Sequence, residues 1–224
     1  MADKILVLGA HPDDETLGMG GTIAKHTSND DTVHVLVITD GSSSQYENYE
    51  EMIEKKKKEA KKAMEILGVE KIEFNKLSDM KLDTVPHIKI NKLIEKKIDE
   101  FQPDEVYTHH WGDINKDHRL VFESTMVSVR PTPNQTVKKI YTYETPSSTE
   151  WNITEKNNAF TPNVFVDISK HIKQKIKAVK AYETELRPYP HPRSPESIEI
   201  YAKRNGITIG KKYAERFFLI RKII

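Results

Sequence analysis

The chain has 224 residues, 31% of them charged and 37% apolar, and Lys+Arg 35 against Asp+Glu 34 leaves a formal net charge of +1. That near-cancellation argues against nucleic acid as the main partner, because nucleic acid selects a strongly basic face. Cysteine is absent, so disulfides and thiolate ligands are excluded, and any metal must use His, Asp, Glu, carbonyl oxygen or water.

The first apolar run, Ile5, Leu6, Val7 and Leu8, reads as a buried strand. It is too short for a secretory h-region, and Asp3 and Lys4 flank it wrongly. No stretch approaches the roughly 20 apolar residues of a membrane helix, so neither membrane insertion nor export is expected and the cytoplasm is the natural location. "GAHPDDETLGMGG" (residues 9–21) follows and opens a helix near Glu15. "TVHVLVITDG" is the second strand. The segment 49–67 carries Ile53, Ala60, Ala63, Met64 and Leu67 at helical spacing and stops at Gly68. Its "KKKK" run (residues 55–58) is a solvated face offset by Glu50, Glu51, Glu54 and Glu59. "KIEFNKL", a helix around 88–101 and "DEVYTHH" continue the alternation, and "KDHRLVFESTMV" is again helical. Strands apolar on both faces and separated by helices imply an α/β fold with a parallel sheet covered on both sides.

Beyond Arg130 the texture changes. "RPTPNQT" and "ETPSSTEW" are turn-rich and enclose a strand, "KKIYTYE". "NVFVDIS" is a further strand, with Ser169 placed to cap a helix running through Leu186. "RPYPHPRSP" is a proline-rich loop, and a helix from Pro195 to about Asn205 and a last strand, "ERFFLIRKI", follow. No internal repeat or long linker divides the chain, so residues 1–224 are expected to form one domain.

Two chemistries compete at the end of the first strand. Gly9, Gly18, Gly20 and Gly21 make it glycine-rich, as phosphate loops are, but no G-x-G-x-x-G opens the helix. Asp13, Asp14 and Glu15 would also put negative charge where a pyrophosphate must lie. A metal fits better. His11 and Asp14 are three positions apart, so a turn entering a helix brings them to one side, and a carboxylate suits a helix N-terminus. The bland alternative is an Asp capping a helix beside an exposed His. A second segment, "THHWGDINKDHRL", weighs against it, with three histidines and two aspartates at another strand end. In a parallel sheet both ends lie at one edge, so His118 can face His11 and Asp14. Two imidazoles, one carboxylate and a water make an open catalytic zinc site, and other divalent ions suit the same ligands.

"AHPDDE" with its trailing "GMGG", Asp117–His118, and the C-terminal "FTPNVFVDIS", "YETEL" and "PHPRSPESIEIYAKRNG" resemble the PIG-L/LmbE-type zinc N-deacetylases over nearly the whole chain. The resemblance implies a Rossmann-like fold and hydrolysis of the N-acetyl group of a glucosamine-type unit, free or conjugated, with a small N-acetylated sugar as partner. It implies His11, Asp14 and His118 as zinc ligands and Asp13 as general base. It also leaves a homo-oligomer open. Two positions depart from the pattern: Asn115 stands where many members have a His, although Asp117 is kept, and Lys56 stands where many have an Arg, three residues before Glu59. His109, His110 and His191 are candidates to fill the first gap, and Arg193 is a candidate to bind a substrate hydroxyl, phosphate or carboxylate. Two rival readings are the same metal site acting on another small amide or in a hydratase-type reaction, and a non-catalytic sugar- or nucleotide-binding module.

Overall fold

A computed structural model describes residues 2–44, 48–152 and 156–224. Seven strands form one sheet: β1 (Lys4–Gly9), β2 (Thr32–Thr39), β3 (Lys71–Leu77), β4 (Glu105–His109), β5 (Lys139–Tyr143), β6 (Val164–Asp167) and β7 (Ala214–Lys222). Their order is β3-β2-β1-β4-β5-β7-β6. The first five run parallel, and β7 joins β5 and β6 antiparallel. Six α-helices connect them: α1 (Asp14–Ser28), α2 (Tyr49–Leu67), α3 (His87–Phe101), α4 (Lys116–Ser128), α5 (Ile172–Val179) and α6 (Pro195–Thr208).

Alternation along β1 explains the layers. Ile5 and Val7 point to one face, where Met19 and Ile23 of α1, Ala60, Ala63, Met64 and Leu67 of α2 and Ala178 of α5 pack. Leu6 and Leu8 point to the other, against Ile90, Ile94 and Ile98 of α3 and Val121 of α4. All four strand residues are fully buried, as a parallel strand covered on both sides must be. The expected α/β architecture, mostly parallel and with helices on both faces, is the one observed. Because β1 pairs with both β2 and β4, the chain reverses its winding direction beside β1. Open α/β sheets build their sites at that point, outside the carboxyl ends of the strands.

Helix α1 is interrupted. Met19 leaves helical geometry (φ −143°, ψ 21°), so the backbone groups on each side of the break need partners. Buried Lys175 donates from Nζ to the Leu17 carbonyl (2.9 Å), and the Glu215 carboxylate accepts from the N–H groups of Gly21 (2.9 Å) and Thr22 (2.6 Å). The two side chains pair with each other at 2.6 Å. Two of the expected glycines are needed for close approach here. A Cβ on Gly18 would stand 2.4 Å from the Tyr143 ring, and one on Gly21 would stand 2.6 Å from Ile168 Cδ1.

Two expectations fail on local detail. Ser169 does not cap α5: its Oγ donates to Asp167 Oδ1 (2.6 Å), and His171 precedes the helix. The helix also ends at Val179 rather than Leu186. Beyond it, Tyr182 Oη bonds Glu15, Thr184 bonds Glu59, and Glu185 meets Lys56 and Arg193. These long-range bonds replace the helical ladder that the apolar spacing alone would continue. Among the described residues no helix is long and apolar enough to cross a membrane.

Candidate metal centre

Strands β1 and β4 are parallel neighbours, with Val7 opposite Tyr107, so the turns that follow them open on one edge of the sheet. After β1 the chain turns through His11, Pro12 and Asp13 into α1. Asp13 precedes the helix and its carbonyl accepts from Thr16 (3.0 Å) and Leu17 (2.9 Å). Its backbone is held at φ 126°, ψ −26°, a conformation that a side-chain-bearing residue adopts only under strain. After β4 the chain enters α4, where Asn115 is the N-cap: its Oδ1 accepts from Asp117 N–H at 2.9 Å.

The structure brings His11, Asp14 and His118 together. His11 Nδ1 is 3.2 Å from His118 Nε2 and 3.4 Å from Asp14 Oδ2, and His118 Nε2 is 3.4 Å from Asp14 Oδ1. With one ligand atom taken from each residue, the three donors lie within 4.8 Å of one another, close to the roughly 3.3–3.4 Å between donors on one tetrahedral ion, so the cluster is of a size to close on a metal ion. Asp14 Oδ2 accepts from the His11 N–H at 2.7 Å, whereas Oδ1, fully buried, has no hydrogen-bond partner. Buried carboxylate oxygens normally have partners, and an ion beside Oδ1 would supply one.

Charge points the same way. Four buried carboxylates, Asp14, Asp79, Asp113 and Asp117, lie against the two imidazoles. Burial opposes protonation of His118, yet the Asp14 and Asp113 carboxylates raise it to about 9. His11 is likewise raised well above its ordinary value against burial, by Asp117, Asp14 and Asp79. Asp14 is held well below the usual carboxylate range, with burial opposing and His118 and His109 lowering it. The cluster calls for positive charge at its centre.

The remaining nitrogens are oriented from behind. His11 Nε2 lies 3.2 Å from Asp117 Oδ2 and 3.2 Å from Asp79 Oδ1. These three residues also form a cation-sized group, but Asp117 already accepts from Met80 N–H (2.8 Å) and Leu82 N–H (3.1 Å). Its place is therefore to fasten the 79–82 turn to α4 and to hold His11. His109 accepts the Ala10 N–H at Nε2 (2.9 Å), which leaves Nδ1 to carry the proton facing Thr145 Oγ1 (3.3 Å). Burial depresses its pKa to about 4, so it is a neutral prop under the site.

Beside the cluster is a cavity of about 150 Å³ lined by His11, Asp13, Lys56, Asn115, Glu185, Arg187 and Arg193. Arg193 Nη1 donates to Asp13 Oδ2 (3.2 Å) and Glu185 Oε2 (2.7 Å), and Nε donates to Ser147 Oγ (2.7 Å). Lys56, expected on a solvated face, is instead buried, and its Nζ meets Glu185 (2.7 Å) and the Gly41 carbonyl (2.6 Å). Burial lifts Asp13 to about 8, with Arg193 pulling against the shift. Asn115 reaches the cavity with its amide nitrogen 3.6 Å from Met80 Sδ. His110 and His191 are not among the lining residues. His110 donates from Nε2 to the Asn158 carbonyl (3.0 Å), and His191 accepts the Arg193 N–H at Nδ1 (3.1 Å). Sequence reading assigned no role to Asp79, Asp113 or Glu185. Asp113 stands inside the second motif, whereas Asp79 and Glu185 reach the site only through the fold.

The switch point of this α/β fold thus carries a carboxylate–imidazole cluster of a size for a metal ion, with a buried carboxyl beside it. Residues 6–129, more than half of the chain, match the family model described as PIG-L, GlcNAc-PI de-N-acetylase, and the chain belongs to that family. It is 28% identical to the diacetylchitobiose deacetylase of Thermococcus kodakarensis, across 96% of this chain and 80% of that one. It is 29% identical to the uncharacterized deacetylase YaiS of Escherichia coli, across 80% and 90%. Among solved structures, the N,N'-diacetylchitobiose deacetylase from Pyrococcus horikoshii superposes with a TM-score of 0.79 at 26% identity, covering 98% of this chain and 84% of that one. A 4-carboxy-2-hydroxymuconate hydratase from Pseudomonas putida reaches 0.79 at 20% identity, with 99% and 98% covered. That likeness is one of fold alone.

Proposed function

We propose that the chain is a zinc-dependent deacetylase that hydrolyses the N-acetyl group of a glucosamine-type sugar or its conjugate. His11, Asp14 and His118 hold the ion, and Asp13 moves the proton. When bound, zinc supplies a Lewis acid that polarises the acetyl carbonyl and acidifies water near neutral pH. The cavity wall supports the remaining roles. Asp13 takes the proton of the attacking water, and Arg193, 3.2 Å away, holds the carboxylate in place. Burial raises the Asp13 carboxyl above the ordinary Asp range, with Arg193 pulling against the shift, which brings it toward the working pH, where one group can both take and return a proton. The leaving amine must be protonated, and His110 and His191 face elsewhere, so Asp13 acts first as base and then as acid. Asn115, on the cavity wall, is the amide donor we assign to developing negative charge, and Lys56, Glu185, Arg187 and Arg193 offer partners to sugar hydroxyls.

The observation that carries this reading is the closely spaced His11–Asp14–His118 donors beside the Asp13-lined cavity in a PIG-L chain. The test incubates zinc-loaded protein with N-acetylglucosamine, diacetylchitobiose and N-acetylglucosaminyl conjugates and follows free amine and acetate together. Equimolar release from at least one sugar is expected. Ligand binding without turnover across the panel would favour the binding-module reading instead.

A further inference from the structure

His118 could not donate to an ion from Nε2 if its proton sat on that nitrogen. Which nitrogen carries it is set by what faces the other one. His118 Nδ1 stands 3.1 Å from Asp113 Oδ2, and Asp113 is fully buried. The carboxylate is itself pinned. Oδ1 accepts from the Asn115 N–H (2.7 Å) and the Ser148 hydroxyl, and Oδ2 accepts from the Thr149 hydroxyl (2.6 Å). Both hydroxyls come from the segment after β5, and Thr145 of the same segment supports His109. Asn152 Nδ2 adds a bond to the Gly112 carbonyl (2.8 Å).

We infer that Asp113 is a positioning residue for the metal centre: its carboxylate, 3.1 Å from His118 Nδ1, draws the ring proton to that nitrogen and leaves the Nε2 lone pair for the ion. This rests on the metal reading given above. A carboxylate behind a ligating histidine raises its basicity as well as orienting it, and loss of such a partner typically costs 10–100-fold in metal affinity. Because Asp113 is held by donors from two separate segments, the ligand's orientation is set by the loop following β5 as well as by α4. An Asn at 113 keeps the shape, but its NH₂ must then face one of the donors that the second carboxylate oxygen now accepts. Both the amide and a truncation should therefore loosen the ligand.

The experiment measures zinc affinity by competition with a chromophoric chelator for the wild-type chain, Asp113→Asn and Asp113→Ala, with thermal unfolding of each metal-free protein as a folding control. A 10–100-fold weaker zinc complex is expected in both variants, together with activity that excess zinc largely restores. A purely structural role would show as lost activity with unchanged zinc affinity and no rescue, and that result would overturn the inference. So would folded variants that hold zinc as tightly as wild type. If the Ala variant fails to fold, the Asn variant decides. A wild-type chain that takes up no zinc would overturn the metal reading itself, and this inference with it.

Discussion

Asp13 is the residue asked to move protons, and it is held at a backbone angle that suits glycine. Two substitutions separate these facts. Asp13→Ala and Asp13→Gly both remove the carboxylate, and both leave Arg193 with Glu185 (2.7 Å) and Ser147 (2.7 Å) as partners. They differ in the backbone alone. Sparsely populated φ/ψ costs on the order of 1–3 kcal/mol, which Gly relieves and Ala keeps. Gly gives back about 0.4–1 kcal/mol through its looser unfolded chain. The Gly variant should therefore be more stable than the Ala variant by up to about 2.6 kcal/mol, which at roughly 2–4 °C per kcal/mol for a chain of this size raises Tm by up to roughly 10 °C. Both variants should lose about 10²–10⁴-fold in turnover if Asp13 is the base. Paired urea titrations and steady-state assays at one zinc concentration read both quantities. A Gly variant no more stable than Ala would refute strain at this position. The pH dependence has a definite sign in metal-free protein. The Asp13 carboxyl rises from 3.8 to about 8 on folding, so its contribution is most favourable below pH 4 and is lost as pH rises toward 8. The stability of Asp13→Gly relative to wild type should therefore rise across that window.

Other outcomes follow from the same geometry. His118→Ala should lose most bound zinc by elemental analysis, and full retention would remove it from the ligand set. His110→Ala and His191→Ala should each keep measurable deacetylation; a loss as deep as that of Asp13→Ala, with zinc retained, would make that histidine the acid. Glu215→Ala leaves Lys175 buried without its carboxylate and two helix N–H groups unbonded, so it should cost about 3–5 kcal/mol in urea unfolding. A loss under 1 kcal/mol would mean that water or a neighbour replaces the carboxylate.

Much of this was legible in the residues. Apolar doublets such as Ile5–Val7 and Leu6–Leu8 require a strand covered on both faces, and the parallel pairing of β1 with β4 brings "AHPDDE" and "DH" to one edge. Asp113 lay within reach, since it stands in the same motif, five residues before the histidine proposed as a ligand. Asp79 and Glu185 were not legible: each is one acidic residue among 34, and only the stacking of β3 and the path after α5 bring them to the site. The end of α5 was misread because Ile172, Ile176, Val179 and Leu186 keep helical spacing while Tyr182 and Thr184 are claimed by Glu15 and Glu59. The strained angle at Asp13 was invisible, because nothing in an Asp predicts positive φ.

The break in α1 at Met19 bears on how change elsewhere reaches the chemistry. An unbroken helix is a stiff rod, and a tilt imposed at its far end would swing the turn that carries Asp14. Here the rod is two short levers with a joint between them, and the joint is clamped to β7 through Glu215 and to α5 through Lys175. Sequence drift at the outer end of the second lever, residues 25–28, which are partly or fully exposed, would be absorbed at the clamp, so that end can vary while the turn beyond the joint keeps its aim. Lys175 and Glu215, far along the chain from either motif, are where such drift would be felt.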